Sequence, residues 1–532
     1  MLESELLGHW NFSVACIKGL VKSRTTAEEI TEHDIDGYDI DVSISVGSDK
    51  PSSIFGREKE WGLLQGFFDE SLGSRLAVVY GRRRHGKTTL LQELAAVTNS
   101  FYWEAAEQSS AQNLESFSNA WTDFIESGGP IRFRNWEEAL ESVLAPNNFD
   151  PLGLTGGVMI DEVGYLIGTA PEFPSLLQRH FGPRTQNSGK VRVILCGSIY
   201  AQMTRLLAAG QPLRGRQSLE VDVRPFDYRT AASFWDLDSH PDAAFRLHAL
   251  IGGTPAYLRF AGGKTPSKGN VDRWVVDHLL NPASPLFHEG QLLVAEDPTL
   301  VDKALYWSVL GAVADGFNRR TEIADALRRS PGALAQPLAV LEAGSWIEMV
   351  PDPFHGRSTT VTLNEPIVRM HRVLIAKERR RLDLGQATAV WEDSHSRVSR
   401  LIYGPHLEWI ANDWMLRFAS SKTVGGSIRS CGPGILRVGG VTHQLDLVGL
   451  EPDRQDVDRI CVIGEVKAEK SAMGIAELER LDLIATKLGD RAAPSVRRML
   501  VARSGFSAEL KRTARARSDI ELVDLHRLYD GD

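Results

Sequence analysis

The chain has 532 residues, 42% hydrophobic and 24% charged, which is room for three or four domains of ~150 residues, each able to bury a core. This balance excludes global disorder. The formal charge of −9 gives no support for a dedicated nucleic-acid binder, which is usually basic.

The N-terminus, MLESELLGHW, lacks the basic-then-apolar layout of a signal peptide. No apolar run in the chain approaches the ~20 residues that span a bilayer. Cys16, Cys196, Cys431 and Cys461 have neither disulfide-framework nor zinc-ligand spacing. We therefore expect a soluble protein of the reducing cytoplasm, with no membrane partner.

Residues 1–50 form an acidic N-terminal extension. Between Ala27 and Asp41 it carries Glu28, Glu29, Glu32, Asp34, Asp36, Asp39 and Asp41. Such a segment is either a solvated, partly ordered tail or an arm that covers a basic surface of the same molecule.

Residues 51–230 alternate apolar strand-like runs with helical segments. RLAVVYG (75–81) leads through a glycine loop into the helical TTLLQELAAV (88–97). GGVMIDE (156–162) and VRVILCGS (191–198) are further apolar runs that end in polar residues. This alternation predicts an α/β core with a parallel sheet covered on both faces.

Residues 231–298 read as a helical lid. Residues 299–365 read as helix, helix, turn at Ser330-Pro331-Gly332, helix, then a hairpin around Pro351–Gly356. That order fits a winged helix. Residues 366–532 return to mixed α/β, with helical ERRRLDLGQ and PHLEWIANDWML before strands HQLDLVGL, ICVIGEVKAE and RRMLVARS.

The first constellation is G-x-x-x-x-G-K-[ST]. It predicts nucleotide contacts at Gly81, Arg82, Arg83, Arg84, His85, Gly86, Lys87, Thr88 and Thr89. The glycines let backbone N–H groups approach phosphate oxygens, and the helix N-terminus adds favourable charge. Lys87 is expected to reach the β- and γ-phosphates, and Thr88 to coordinate Mg²⁺. In VMIDE, Asp161 is the expected metal partner and Glu162 the residue that polarises water. Ser198 ends the next strand, where it is either a sensor of the γ-phosphate or a turn serine. Arg214 and Arg216 are candidates to stabilise transition-state charge, in cis or from a neighbouring subunit in a homo-oligomer.

FGREKEWGLL, GRRRHGKTTLLQEL, VMIDEVGYL, CGS, PLRGR…PF and GGTPAYL occur in this order. Together they resemble the archaeal-type ATPases of the STAND class of P-loop proteins, relatives of AAA+ ATPases, over about residues 50–365. The resemblance implies that Phe55-Gly56-Arg57-Glu58 opens the module near the adenine. It also implies that Gly252-Gly253-Thr254-Pro255 closes over the nucleotide. His85 departs from the small apolar residue usual at its position.

The second constellation lies in the last domain. Glu465 and Lys467 share one face of a strand, Asp446 lies mid-way along the preceding strand, and the adjacent helix carries Glu408. Two carboxylates on neighbouring strands can share a divalent metal, and a lysine beside them can orient the nucleophile. About residues 390–510 resemble the PD-(D/E)XK, restriction-endonuclease-like fold. That resemblance implies Asp446 and Glu465 as ligands of Mg²⁺ or Mn²⁺, Lys467 as the catalytic lysine and Glu408 as an auxiliary acid. Leu445 stands where the motif name has proline.

Two basic clusters suit non-specific phosphate contacts. One is Lys377, Arg379, Arg380 and Arg381; the other is Arg497, Arg498, Lys511, Arg512, Arg515 and Arg517. The third helix of the winged-helix region offers only Gln336 to a base edge, so sequence-specific readout is not expected. The sequence thus predicts an ATP- and Mg²⁺-dependent ATPase controlling a nuclease that acts on DNA or RNA, an architecture suited to defence against foreign nucleic acid. The alternatives are a nucleotide-switched interaction protein whose last domain has lost its chemistry, and a DNA-dependent motor.

Overall fold

The computed structural model describes residues 50–69, 75–145, 156–181, 191–355, 358–438, 440–452 and 457–532. Cys16 and the acidic stretch Ala27–Asp41 lie outside them. Five strands, β1 (Leu76–Tyr80), β2 (Phe101–Glu104), β3 (Gly157–Asp161), β4 (Arg192–Gly197) and β5 (Gln217–Asp222), form the first sheet in the order β2-β3-β4-β1-β5. All its pairings are parallel.

Strand periodicity builds the two cores of this sheet. Leu76, Val78, Val158, Ile160, Val193 and Leu195 face one core, with Phe117, Trp121 and Trp136 from covering helices. Ala77, Val79, Met159, Ile194 and Cys196 face the other, against Trp61, Leu64, Leu90 and Leu94. Successive side chains point to opposite faces, so a strand buried on both sides must be apolar throughout.

Sheet order positions the site. β4 lies between β1 and β3, so the chain leaving β4 emerges between the glycine loop after β1 and the acidic pair ending β3. β2 and β5 were not foreseen from sequence. β2 is four residues long and β5 (QSLEVD) is largely polar.

Helices dominate residues 228–418. Within them, helices Lys303–Ala314, Arg320–Ala326 and Ala335–Ala343 precede the antiparallel hairpin of β6 (Ile347–Pro351) and β7 (Thr359–Leu363). The second sheet has the order β12-β11-β10-β9-β8. Its strands are β8 (Ser430–Val438), β9 (Val441–Pro452), β10 (Asp458–Lys467), β11 (Ala492–Ala502) and β12 (Ile520–Asp524). β8, β9 and β10 are antiparallel neighbours, while β10, β11 and β12 run parallel.

One continuous apolar core runs from Tyr228 through the helices and hairpin to Leu447, Val462, Val501 and Tyr529 on the second sheet. The boundaries expected at 298 and 365 fall inside this shared core. The chain's last turn is held there, with the Tyr228 hydroxyl and Arg229 Nε both donating to the Leu528 carbonyl at 2.8 and 2.9 Å. Cys196, Cys431 and Cys461 are free thiols. Among the described residues, no helix is long and apolar enough to cross a membrane.

Candidate functional site

The glycine loop connects β1 to helix Lys87–Thr98. Gly86 precedes the helix at φ 89°, a conformation strained for any residue with a Cβ. A Cβ on Gly81, at φ 146°, would lie 2.3 Å from the Val223 carbonyl oxygen. Lys87 is buried and its Nζ donates to the Arg82 carbonyl at 2.9 Å, across the loop. Thr89 is exposed on the first turn of the helix.

Thr88 Oγ1 donates to Asp161 Oδ2 at 2.8 Å, and the Tyr102 hydroxyl donates to the same oxygen at 3.0 Å. The Glu162 N–H donates to Asp161 Oδ1 at 2.8 Å. Both oxygens of a fully buried carboxylate are thus fixed in direction. The Thr88 hydroxyl and Asp161 carboxylate are hard oxygen donors that fit Mg²⁺. Such an ion takes one or two protein oxygens alongside phosphate and water. Among the described residues, no group of three or more His, Cys, Asp or Glu is arranged to hold a metal ion.

Glu162 has φ 47°, a left-handed backbone uncommon for a residue with a side chain, at the start of helix Val163–Thr169. Strain of this kind persists where the surroundings fix it, often at functional sites. The surrounding contact is Ser198, whose hydroxyl donates to Glu162 Oε2 at 2.7 Å. One carboxylate oxygen is therefore held by a hydroxyl donor. Glu104 pairs with Asp161 across the β2–β3 ladder. Burial, with Asp161 and Glu162, raises its pKa.

The structure accommodates His85 by giving its ring a partner. Nδ1 lies 3.0 Å from the Val223 carbonyl, which only accepts, so Nδ1 carries the proton. Burial, helped by Lys87, holds the imidazole pKa well below its ordinary value, so the ring stays neutral. Arg57 Nη2 donates to the His85 carbonyl at 2.9 Å, which joins the Phe55–Glu58 segment to the loop. Phe55 is exposed and meets Phe226 and Phe234 edge-on at 5.9 and 5.2 Å. The Phe226 N–H donates to the Gly253 carbonyl at 2.8 Å. Pro255 lies 3.8 Å from where a Cβ on Gly86 would be. The aromatic cluster and the Gly252–Pro255 turn therefore pack beside the loop.

Arg82, Arg83 and Arg84 direct their side chains toward downstream helices. Arg82 pairs with Glu365 at 3.0 Å and lies 3.5 Å over the Trp346 ring. Arg83 pairs with Glu296 at 3.2 Å and contacts the Tyr165 hydroxyl. Arg84 pairs with buried Glu289. Tyr102, Tyr165 and these three glutamates were missed by sequence reasoning; they lie on separate segments that only the tertiary fold brings together. Arg214 is exposed and Arg216 half-buried in the turn before β5. Among the described residues neither forms an ion pair.

The second constellation also comes together. The Val466 N–H donates to Asp446 Oδ2 at 2.9 Å, beside Glu465. Asn412 Nδ2 donates to the carbonyls of Glu408 and Asp446 at 2.8 and 3.3 Å, tying helix Gly404–Arg417 to β9. Burial and the Asp446 charge push Glu408 up to about 8 and Glu465 up to about 7. Burial also raises Asp446. Glu465 and Lys467 nevertheless each have a local partner. Arg480 pairs with Glu465, and Glu477 pairs with Lys467.

Among the described residues, five of the ten basic side chains in the two clusters form ion pairs with acids. Lys377 pairs with Asp315, Arg379 with Asp383 and Arg381 with Asp393. Arg498 and Arg517 share Asp482 and Asp519. Lys511, Arg512 and Arg515 are exposed on helix Ala508–Ala516. Gln336 is exposed on helix Ala335–Ala343.

A glycine-rich loop after β1, an Asp–Glu pair ending β3 and a serine after the intervening β4 that holds the glutamate together form a site of the P-loop ATPase class. Residues 54–259 match the family described as an ATPase domain predominantly from Archaea. The match supports ATP binding and hydrolysis by this segment. A protein of Methanocaldococcus jannaschii, itself uncharacterized, is 26% identical over 275 residues. That alignment takes in 50% of this chain and 55% of the relative, so the chain spans about half the length of the curated relative it matches. Among solved structures, a Walker-type ATPase of Pyrococcus abyssi is 20% identical over 60% of this chain and 96% of its own, with a TM-score of 0.47. The ORC2 protein of Aeropyrum pernix, in ADPNP–ADP complexes, is 13% identical over 66% of this chain and 97% of its own, with a TM-score of 0.42.

Proposed function

We propose that the chain binds ATP with Mg²⁺ at Gly81–Thr88, hydrolyses it, and uses nucleotide state to control a metal-dependent nuclease in residues 366–532. The observation that carries the ATPase reading is the Ser198–Glu162–Asp161–Thr88 hydrogen-bond array. Lys87 neutralises charge on the β- and γ-phosphates. Thr88 and Asp161 hold Mg²⁺, which supplies charge neutralisation at the phosphates. Glu162, oriented by Ser198, takes the proton of the attacking water. Arg214, exposed, and Arg216, half-buried, are candidates to stabilise transition-state charge, in cis or from a neighbouring subunit of an oligomer.

The nuclease reading is supported by the order of helix Gly404–Arg417, antiparallel β8–β10, helix Ile475–Ala485 and parallel β11. The elevated Glu408 and Glu465 lie against Asp446, as carboxylates that share a divalent cation would. Asp446 and Glu465 would hold Mg²⁺ or Mn²⁺, with Lys467 beside the nucleophile and Glu408 as an auxiliary acid. The three helices and hairpin of 299–365 serve as a winged-helix spacer between the two halves. Lys511, Arg512 and Arg515 are the basic groups best placed for nucleic-acid phosphates, and defence against foreign nucleic acid fits such a pairing.

One observation favours the second reading, a nucleotide-switched interaction protein. The ion pairs Arg480–Glu465 and Lys467–Glu477 occupy the very groups that cleavage requires. The deciding experiment is cleavage of plasmid DNA and single-stranded RNA with Mn²⁺ under ATP, ADP and no nucleotide. Nucleotide-dependent cutting that disappears in Glu465→Ala supports the nuclease. No cutting of either substrate in any condition leaves the interaction protein.

A further inference from the structure

Three consecutive arginines fill the middle of the phosphate loop, and their surroundings divide them into two kinds. The Arg82–Glu365 pair has side chains 11% and 10% exposed, and Arg84 meets a Glu289 side chain that is 1% exposed. These are anchors, since opening a buried pair strands a charge away from water. The Arg83–Glu296 pair is 37% and 36% exposed. A pair so open to solvent is weak and easily exchanged.

Arg83 also differs in what it faces. Its guanidinium contacts the hydroxyl of Tyr165, which lies three residues after Glu162, on the helix that Glu162 begins. It is therefore at the water-activating end of the site. Burial draws the Arg83 pKa down, but Tyr165, Glu162 and Glu296 together leave it above the ordinary arginine value. A permanently charged, planar group rests within electrostatic reach of the residue that activates water. The guanidinium fork matches phosphate oxygens as well as it matches a carboxylate.

We infer that Arg83 is a catalytic arginine supplied in cis, which Glu296 holds until the γ-phosphate of ATP takes its place. This rests on the ATPase reading above. In the step it serves, a water oxygen forms the new bond to the γ-phosphorus and its proton passes to Glu162. The bond to the β–γ bridging oxygen breaks, and its electron pair leaves with ADP. Negative charge on the γ-phosphoryl oxygens is the charge that Arg83 meets. ADP has no γ-phosphate, so after product release the arginine returns to Glu296. The Arg84–Glu289 pair keeps the helix Pro285–Glu296 attached to the loop throughout.

The test uses the full chain and four variants: Arg83→Ala, Arg83→Lys, Glu296→Gln and Lys87→Ala. Phosphate release gives kcat and KM, and fluorescent ATP and ADP analogues give affinities. Arg83→Ala is expected to lower kcat by about 10²–10³-fold with KM within about threefold of wild type. Arg83→Lys is expected to recover about a tenth of wild-type kcat, since it restores charge without the fork. Glu296→Gln is expected to tighten ATP several-fold and leave ADP unchanged. A wild-type kcat in Arg83→Ala, or a loss confined to KM and thermal stability, overturns the inference. So does an equal shift of ATP and ADP in Glu296→Gln, which is informative even if the alanine variant does not fold. If Lys87→Ala loses binding while Arg83→Ala turns over normally, only the arginine inference falls. If wild-type protein neither binds nor hydrolyses ATP, the ATPase reading falls with it.

Discussion

The two acid–lysine constellations of this chain have similar ingredients and different wiring. At the first, the members bond to one another: Thr88 and Asp161, Asp161 and Glu162, Glu162 and Ser198. At the second, burial and the Asp446 charge raise the pKa of Glu408 and Glu465, yet Lys467 and Glu465 are each tied to a helix residue outside the expected set. An array whose groups already orient one another is prepared for its chemistry. An array whose groups are satisfied by neighbours needs a metal, a substrate or a rearrangement to free them. That contrast is what an ATP-controlled second site would display in its resting form.

The largest expected effects fall on the first site. Lys87→Ala is expected to abolish nucleotide binding, as read by calorimetry. Glu162→Gln is expected to keep ATP affinity within about threefold while lowering hydrolysis by at least about 10²-fold. Full hydrolysis in Glu162→Gln would remove this residue from the mechanism and leave the two constellations less different than their wiring suggests.

At the second site, Glu465→Ala is expected to remove Mn²⁺-dependent cleavage. Arg480→Ala is expected to strengthen Mn²⁺ binding several-fold, measured by thermal shift, because it frees Glu465 from its partner. If Arg480→Ala leaves Mn²⁺ binding unchanged, the ion pair is not what holds the site at rest. A smaller effect is expected from Ser198→Ala. A hydrogen bond to a charged group contributes about 1.5–3 kcal/mol, so kcat should fall about 10- to 100-fold with ATP affinity retained. An unchanged kcat would make Ser198 an ordinary turn serine.

These sites were legible in the sequence to different depths. Lys87, Thr88, Asp161, Glu162 and Ser198 lie at the ends of β1, β3 and β4 or on the helix that follows β1. The apolar runs that mark those strands also mark where the strands stop, so the positions of these residues could be read from the sequence. Tyr102 was not legible because β2 is four residues long and its place beside β3 depends on sheet order. The arginine partners were hidden for a related reason. Glu289, Glu296 and Glu365 lie about two hundred residues or more beyond the loop, and nothing local distinguishes them from solvated acids. In the last domain β9, β10 and β11 were apparent from their apolar runs, whereas β8, with the sequence SCGPGILRV, carries glycine and proline. Arg480 was overlooked because a basic residue on an amphipathic helix has no signature until its strand neighbour is known.

The two regions meet at a contact that pH should loosen. His248 on helix Pro241–Ile251 and His406 on helix Gly404–Arg417 are both buried, with Nδ1 and Nε2 2.8 Å apart. Burial lowers His248 to about 4, against partial opposition from the Phe226 backbone and Asp227, and holds His406 well below its ordinary value, with His248 and Arg369 adding to the effect. A folded pKa below the unfolded value of about 6.5 means that the folded state binds the proton more weakly. Stability from His248 is therefore complete above about pH 6.5 and is lost as pH falls to its folded pKa of about 4, and His406 loses stability in the same direction. For His248 alone the loss by pH 4.5 is about 2–3 kcal/mol. We expect the melting temperature to fall more steeply between pH 7.5 and 4.5 in wild type than in a His248→Gln/His406→Gln double variant, measured by calorimetry at constant ionic strength. Carboxylates elsewhere titrate in both proteins, so the difference between the curves isolates the pair. Superimposable curves would show that the pair titrates normally, and the contact between the two regions would then carry no pH dependence from these histidines.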